Sequence, residues 1–358
     1  MDERDFIFNQ EVNLKGTSTW TSPSNIALVK YWGKYDLQIP RNPSLSFTLL
    51  KSLTETKVSF SPRKIDKNEF SYNFLFNGKP QISFHNKIDE FFKKITKYNS
   101  YLKNHHLIIE SNNSFPHSSG IASSASSMSS LSLCILEIEK KIANNKSKDY
   151  FLKKASFIAR IGSGSASRSI GGPIMVWGKN SAFKKSSDLY AIEIKENVNK
   201  IFLTYQNSIL LVDKSQKKIS SSLGHDLMNN HPYAKVRFDQ AGSNIQNLKE
   251  IISSGDLIKF IKIVELEALS LHALMMTSNP YFMLMKPNTI LIINKIWEFR
   301  ADTKCHICFT LDAGANLHLL YPQNEKELVI DFIENELKSF CQDGEYINDM
   351  VGFGSKKK

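Results

Sequence analysis

One segment sets the terms for the rest of the chain. Phe115-Pro116-His117-Ser118-Ser119-Gly120-Ile121-Ala122-Ser123-Ser124-Ala125-Ser126-Ser127 is a run of mostly small side chains that feeds directly into the strongest helical pattern of the sequence. Met128, Leu131, Ile135, Ile138 and Ile142 recur at spacings of 3, 4, 3 and 4, one apolar stripe on a helix face, and predict a helix over Ser123–Asn144. The first N–H groups of a helix have no partner within it and carry partial positive charge, so a glycine- and serine-rich entry suits an anion. Bulky side chains would hold a triphosphate away from the backbone, and serine hydroxyls add donors or reach a magnesium ion. A Ser-rich cap packed closely on a sheet explains the same residues. The loop lacks the Gly-Lys-Ser/Thr ending of a P-loop, and no Gly-x-Gly-x-x-Gly follows a strand.

Three further segments have chemistry at the end of an apolar run. Asn25-Ile26-Ala27-Leu28-Val29-Lys30-Tyr31-Trp32-Gly33-Lys34 delivers two lysines and a tyrosine where a strand stops, which suits a phosphorylated ligand; an edge strand with solvated lysines is the plainer alternative. Gly162-Ser163-Gly164-Ser165-Ala166-Ser167-Arg168-Ser169 supplies glycine flexibility, hydroxyl donors and one guanidinium, or else a flexible linker. Thr310-Leu311-Asp312-Ala313-Gly314-Ala315-Asn316 places a carboxylate on a tight turn, as an exposed base or as an Asx-turn that bonds only the backbone. Cys305-His306-Ile307-Cys308 imitates a metal or redox pair, but no second Cys or His pair completes a zinc set.

The remaining pattern reads as an α+β protein of two lobes. Strands are expected at Asn25–Trp32, Leu45–Leu50, Thr56–Ser61, Phe70–Phe76, His105–Glu110, Ile201–Val212 and Cys305–Leu311, with a hairpin turn over Asn77-Gly78-Lys79-Pro80. A second helix is expected after Asp149 as N-cap, ending near Arg160, and others over Asp256–Met276 and Pro287–Arg300. A weak boundary falls at Gly178–Asp188. Lys+Arg 46 against Asp+Glu 35 leaves +11 over 358 residues, yet the lysines are scattered in pairs rather than gathered on one arm, so a solvated surface is favoured over nucleic-acid binding. No run approaches the roughly 20 apolar residues of a membrane helix. The acidic start Met-Asp-Glu-Arg-Asp is unlike an export signal, and four cysteines make no disulfide scaffold, so a cytoplasmic protein is expected.

In this order the four segments resemble the GHMP kinase superfamily and, within it, the diphosphomevalonate decarboxylase family. The matching residues are Asn25–Lys34, Pro116–Ala125, Gly162–Ser169 and Asp312–Asn316, and the similarity runs from Ser18 to about Tyr321. Departures are His117-Ser118-Ser119 where many members have Thr-Ala-Ala, Ser167 for Cys and Ala315 for Pro. The resemblance implies a GHMP kinase fold with the site in a cleft between lobes, an N-terminal extension over 1–17, an ATP-binding lobe over 18–188, a C-terminal lobe over 189–352 and a basic tail over 353–358. The two ends fall outside the pattern and are expected to be disordered. It also implies a lyase of isoprenoid biosynthesis (the mevalonate pathway): ATP-dependent decarboxylation of mevalonate 5-diphosphate to isopentenyl diphosphate, by a homodimer without nucleic-acid or membrane partners.

By the same resemblance Asp312, Lys30 and Arg168 are catalytic, and Tyr31, Lys34, Ser163, Ser165 and Arg168 hold the substrate. Pro116, Ser118, Ser119, Gly120, Ile121, Ala122, Ser123 and Ser124 bind ATP, and Ser123 contacts Mg²⁺. Phosphomevalonate decarboxylase and mevalonate 3-kinase are the rivals within the superfamily. A non-catalytic nucleic-acid binder is the rival outside it, and Asp312 argues against that, since a groove for phosphate backbone has no use for a carboxylate.

Overall fold

The computed structural model describes residues 1–10, 13–63, 70–116, 121–143, 146–215 and 221–358, and of 221 and 222 the backbone alone. Two sheets organise it. The first contains β1 (Gly16–Val29), β2 (Ser44–Pro62), β3 (Ser71–Phe76), β4 (Lys79–Pro80) and β5 (His105–Asn113) in the order β1-β2-β5-β3-β4. Helix α1 (His85–Ile95) links β4 to β5, and α2 (Ser123–Lys140) and α3 (Lys148–Gly162) follow. β6 (Ile174–Trp177) pairs with the early part of β2, and β7 (Ile192–Glu193) with β6. The second sheet holds β8 (Gln206–Leu210), β9 (Cys308–Leu311), β10 (Leu317–Tyr321) and β11 (Tyr346–Met350) in the antiparallel order β11-β8-β10-β9. With it go α4 (Ser221–Asp226), α5 (Ala234–Ser254), α6 (Leu257–Met276), α7 (Pro287–Thr303) and α8 (Lys326–Phe332). No helix among the described residues is long and apolar enough to cross a membrane.

Several elements differ from the sequence reading, each for a local reason. The strands expected at Leu45–Leu50 and Thr56–Ser61 are halves of one strand, β2, whose pairing with β1 skips from Thr48 to Leu53. At this bulge the Leu50, Lys51 and Ser52 N–H groups turn to the buried Asp349 carboxylate of β11 (3.0, 2.8 and 2.7 Å). The two halves of the molecule are thereby joined by backbone-to-carboxylate bonds. β1 ends at Val29 rather than Trp32, and α3 is capped by the Ser147 side chain, which accepts from Tyr150 N, not by Asp149. Asp149 sits in the first turn and pairs with Lys153 (2.6 Å). Ile201–Val212 divides into a 3₁₀ turn, Lys200–Leu203, and β8, while β9 begins only at Cys308. The hairpin is present but its turn is shorter than the expected four residues: Asn77 and Gly78 both have positive φ (49° and 74°), while Lys79 and Pro80 already pair as β4 with Phe76 and Leu75.

Nor are the chain ends disordered where they are described. Phe6 is fully buried and stacks on Phe157 at 4.7 Å, and β12 (Lys356–Lys357) pairs with Trp20 and Thr21 on the outer edge of β1. Apolar burial of an aromatic ring is sufficient reason for the first.

Candidate active site

The end of β1 delivers Lys30 into the interior, 1% exposed. The end of β9 delivers Asp312, and the Lys30 ammonium lies 3.4 Å from its Oδ1. The Asp312 side chain keeps 28% of its surface open. It is no Asx-turn: the Gly314 N–H that would close one donates to the Asp312 carbonyl oxygen (2.8 Å), which His272 Nε2–H also approaches at 3.1 Å. Burial pushes the Lys30 ammonium below its usual range, and Asp312, then Glu267, oppose that shift.

Arg168 stands in a short 3₁₀ segment, Gly164–Ser169, at the C-terminal end of α3. This is a packed turn rather than a linker: Ser129 Oγ donates to the Ala166 carbonyl, and Asn25 Nδ2 donates to the Ser165 carbonyl (3.1 Å) and the Ser169 hydroxyl (2.8 Å). The Arg168 guanidinium is 2% exposed and donates to neutral oxygens, Ser46 Oγ (3.1 Å), Ser44 Oγ and Asn25 Oδ1 (3.4 Å). Burial lowers it to about 10, with Asp312 opposing, so it stays cationic at neutral pH. Neutral partners orient the fork without neutralising its charge.

Tyr31 and Lys34 follow on the loop beyond β1. The Tyr31 ring lies between Trp177 (4.7 Å) and His225 (4.3 Å), and a Cβ on Gly164 would come within 2.6 Å of it, so glycine is required at that contact. Lys34 lines a cleft of about 690 Å³ together with Gln38, Lys94 and Asp226. Ser163 and Ser165 stand half-buried at the end of α3 and in the turn after it, and Ser163 Oγ is 3.3 Å from Ser124 Oγ. That contact joins the serine turn to the start of α2.

Of the loop before α2, Pro116 is exposed, Ile121 is buried with its carbonyl accepting from Ser24, and Ala122 takes the left-handed conformation (φ 47°) that turns the chain into the helix. Ser123 opens α2 half-exposed, and Ser124 is exposed. Ser118, Ser119 and Gly120 lie outside the described residues. A magnesium ion carried in on nucleotide phosphates takes few protein ligands and prefers hard oxygen, which the Ser123 hydroxyl is. No cluster of three or more His, Cys, Asp or Glu that could hold a metal occurs among the described residues.

Sequence reasoning missed the residues that hold this centre. Asn42, Glu267 and Arg237 bond the Lys30 peptide groups, and His318 is buried near Lys30 and Asp312, pushed down to about 4 and therefore neutral. Only Glu267 left a signal, as an acid within the apolar run of α6.

Comparison with known proteins places these features in one family. The model of the diphosphomevalonate decarboxylase-like N-terminal domain matches residues 22–190, and that of the mevalonate 5-diphosphate decarboxylase C-terminal domain matches 208–352. The diphosphomevalonate decarboxylase of Saccharomyces cerevisiae is 28% identical over 331 residues, covering 87% of this chain and 80% of that protein. The mevalonate diphosphate decarboxylase structure from Staphylococcus aureus superposes with a TM-score of 0.82 at 27% identity, covering 96% of this chain and 98% of that one. A structure of MDDEF in complex with MVAPP, AMPPCP and magnesium gives 0.81 at 26% identity, with 96% and 99% covered. The α+β architecture is the GHMP kinase fold of these enzymes. The chain belongs to the diphosphomevalonate decarboxylase family.

Proposed function

We propose that this chain decarboxylates mevalonate 5-diphosphate at the expense of ATP, giving isopentenyl diphosphate, ADP, phosphate and CO2. One observation carries the reading: a buried ammonium and a partly open carboxylate, 282 positions apart in sequence, meet at 3.4 Å in the interior. Asp312 takes the proton of the 3-hydroxyl as its oxygen attacks the γ-phosphorus, and ADP leaves with the electrons of the broken P–O bond. The tertiary phosphate then departs with its C–O pair, and the electrons of the C–CO2 bond form the alkene as CO2 is lost. Lys30 faces the charge that grows on the transferring and departing phosphate, and its burial in a low dielectric strengthens that interaction. Arg168 orients the carboxylate and helps to neutralise the phosphates. Tyr31, Lys34, Ser163 and Ser165 hold the diphosphate, which does not react.

Pro116, Ser118, Ser119, Gly120, Ile121, Ala122, Ser123 and Ser124 cradle ATP, with Ser123 as a magnesium ligand. When bound, the ion neutralises phosphate charge and orients the triphosphate. The relative crystallised with MVAPP, AMPPCP and magnesium supports this ligand set. We further propose a cytoplasmic homodimer, with residues 18–188 and 189–352 as its lobes, flanked by the segments 1–17 and 353–358.

The test is turnover of purified protein with ATP·Mg²⁺ and mevalonate, its 5-phosphate or its 5-diphosphate, measuring ADP and CO2 together. Both products with the diphosphate are expected. ADP without CO2 would reassign the chain as a 3-kinase, and turnover only with the monophosphate would make it a phosphomevalonate decarboxylase. Light scattering on the eluted protein checks the dimer.

A further inference from the structure

The strand that carries Lys30 to the centre gives out one residue before it. β1 pairs with β2 as far as Val29, so the peptide groups of Lys30 fall outside the ladder. Buried side chains take them over. Glu267 Oε2 accepts from the Lys30 N–H (2.9 Å), while Asn42 Nδ2 and Arg237 Nη2 donate to the Lys30 carbonyl (2.8 and 3.4 Å). Arg237 also grips Glu267 through both of its terminal nitrogens, Nη1 to Oε1 (3.1 Å) and Nη2 to Oε2, and Asn244 donates to Glu267 Oε1 (2.6 Å). Glu267 is fully buried and Arg237 is 3% exposed. They come from α6 and α5, so the helices of the C-terminal half clamp a lysine of the N-terminal half.

A buried ion pair is a poor source of net stability, because apolar residues of similar volume commonly do as well. What this pair supplies is fixed geometry, with its carboxylate end set on the Lys30 N–H and its guanidinium end on the Lys30 carbonyl. We propose that Glu267, held by Arg237, is the positioning residue that fixes Lys30 against Asp312. The proposal rests on the functional reading above, in which Lys30 acts as a cation.

The charged and titratable groups around Lys30 make the consequence calculable in sign. Asp312 and the neutral His318 face it from the second sheet, Glu267 from α6, Arg237 from α5 and Arg168 from the 3₁₀ turn, and His272 of α6 donates to the Asp312 carbonyl. Burial favours the neutral amine, and Arg168 adds to that push; Asp312 and Glu267 oppose both. Removing the Glu267 charge leaves burial less opposed, so Lys30 gives up its proton at lower pH.

A second buried pair provides the control. Lys154 and Glu139, at 2.5 Å, are equally buried but pack against Tyr98 and Asn99, away from the cleft. The experiment compares kcat, KM and the pH profile of kcat/KM for the unaltered enzyme, Glu267→Gln and Glu139→Gln, each scaled to folded protein. Glu267→Gln is expected to lower kcat roughly ten-fold or more, the scale of a misplaced catalytic group. KM for mevalonate 5-diphosphate should hold within about twofold, as for a loss confined to the transition state, while the basic limb of kcat/KM moves to lower pH. Glu139→Gln should move neither. If Glu267→Gln leaves Arg237 unpaired and fails to fold, the double variant Glu267→Gln with Arg237→Gln removes both charges and carries the test through the same loss of kcat at unchanged KM. A folded Glu267→Gln with the kcat and basic limb of the unaltered enzyme, or a double variant with its turnover, overturns the proposal alone. No turnover of the diphosphate by the unaltered enzyme overturns the functional reading and the proposal with it.

Discussion

Lys30 and Lys34 are the same residue type, four positions apart on one stretch of chain, in opposite surroundings. Lys30 is buried with its backbone clamped by side chains of α5 and α6, and its ammonium faces Asp312. Lys34 is half-buried in the wall of the cleft, on a loop closed by Tyr35 N to Ile39 O (2.7 Å) and Arg41 N to Gly33 O (3.2 Å). Its ammonium is also lowered by burial, opposed by Asp226 and reinforced by Lys94. A cation held rigidly out of water is expensive to keep, and it is useful where charge develops during a reaction, because no solvent must reorganise at that moment. One near water costs little and adapts to its ligand, which is enough for a diphosphate whose charge stays constant. On the mechanism proposed above, the first arrangement serves rate and the second affinity.

The sharpest way to break this distinction is at Asp312. Asp312→Asn preserves shape and removes the base, so ADP and CO2 should fall together by roughly 10²- to 10⁴-fold, the range of general-base catalysis. KM should change little, because Arg168 is held in place by Ser44, Ser46 and Asn25 and the diphosphate loop by its own backbone bonds. Turnover and melting temperature are measured on the same preparation, and a stable variant with near-normal CO2 release would end this mechanism.

Lys30→Met comes next. The thioether fills the space of the lysine stem without charge, and kcat should drop by about 10²- to 10³-fold, as when a preorganised donor is lost. On the proposed mechanism the active form is the ammonium, present below the Lys30 pKa and lost as pH rises through it. Because burial lowers that pKa, the basic limb of kcat/KM should fall below the ordinary lysine value of 10.5. A limb at or above that value would mean that Lys30 is not the titrating cation.

The same contrast explains what could be read before the structure was known. Lys30, Arg168 and Asp312, the residues proposed to act, lie in segments whose local composition is unusual, a strand ending in cations, a serine–glycine turn and an Asp-Ala-Gly turn, so each could be singled out within ten residues. The clamp on Lys30 has no such signature. α5 buries Ala234, Arg237, Ala241, Asn244, Ile245 and Leu248. Those spacings are helical, but arginine, asparagine and alanine occupy inward positions where an apolar stripe would be sought. Which carboxylate Arg237 meets depends on how α5 and α6 pack, a tertiary fact absent from either segment. The bulge in β2 was hidden for the same reason: its three N–H groups are satisfied by Asp349, nearly 300 residues away. In the loop before α2, Ser124 meets Ser163 and Ser123 opens the helix, while Ser118, Ser119 and Gly120 lie outside the described residues.

Lys34→Ala should act on the other side of the comparison. A hydrogen bond to a charged group is worth about 1.5–3 kcal/mol, so KM for the diphosphate substrate should rise by roughly 10- to 100-fold. With ground and transition states losing equally, kcat should stay within about twofold. Unchanged KM with collapsed turnover would move Lys34 into the chemistry and dissolve the distinction.

The smallest effect is expected one step behind Lys34, at His225. Its Nδ1 accepts the Gly33 N–H (2.9 Å), and its ring packs against Tyr31 and Trp32. Accepting at Nδ1 places the proton of the neutral ring on Nε2, and burial holds the ring neutral by pushing it down to about 3, with Lys34 adding to the shift. Gly33 takes a left-handed conformation (φ 93°), so the loop turns at this residue before it presents Lys34. His225→Phe keeps a ring and loses the acceptor; one lost hydrogen bond, about 0.5–1.5 kcal/mol, should raise KM for the diphosphate by roughly two- to ten-fold and leave kcat alone. His225→Asn, whose amide oxygen can take the place of Nδ1, should recover most of that loss. Because the unaltered imidazole is neutral across the working range, the ratio of KM values between His225→Phe and the unaltered enzyme should be flat from about pH 6 to 9. A ratio that changes with pH would show that His225 carries charge, and that the outer loop depends on electrostatics the inner site was thought to monopolise.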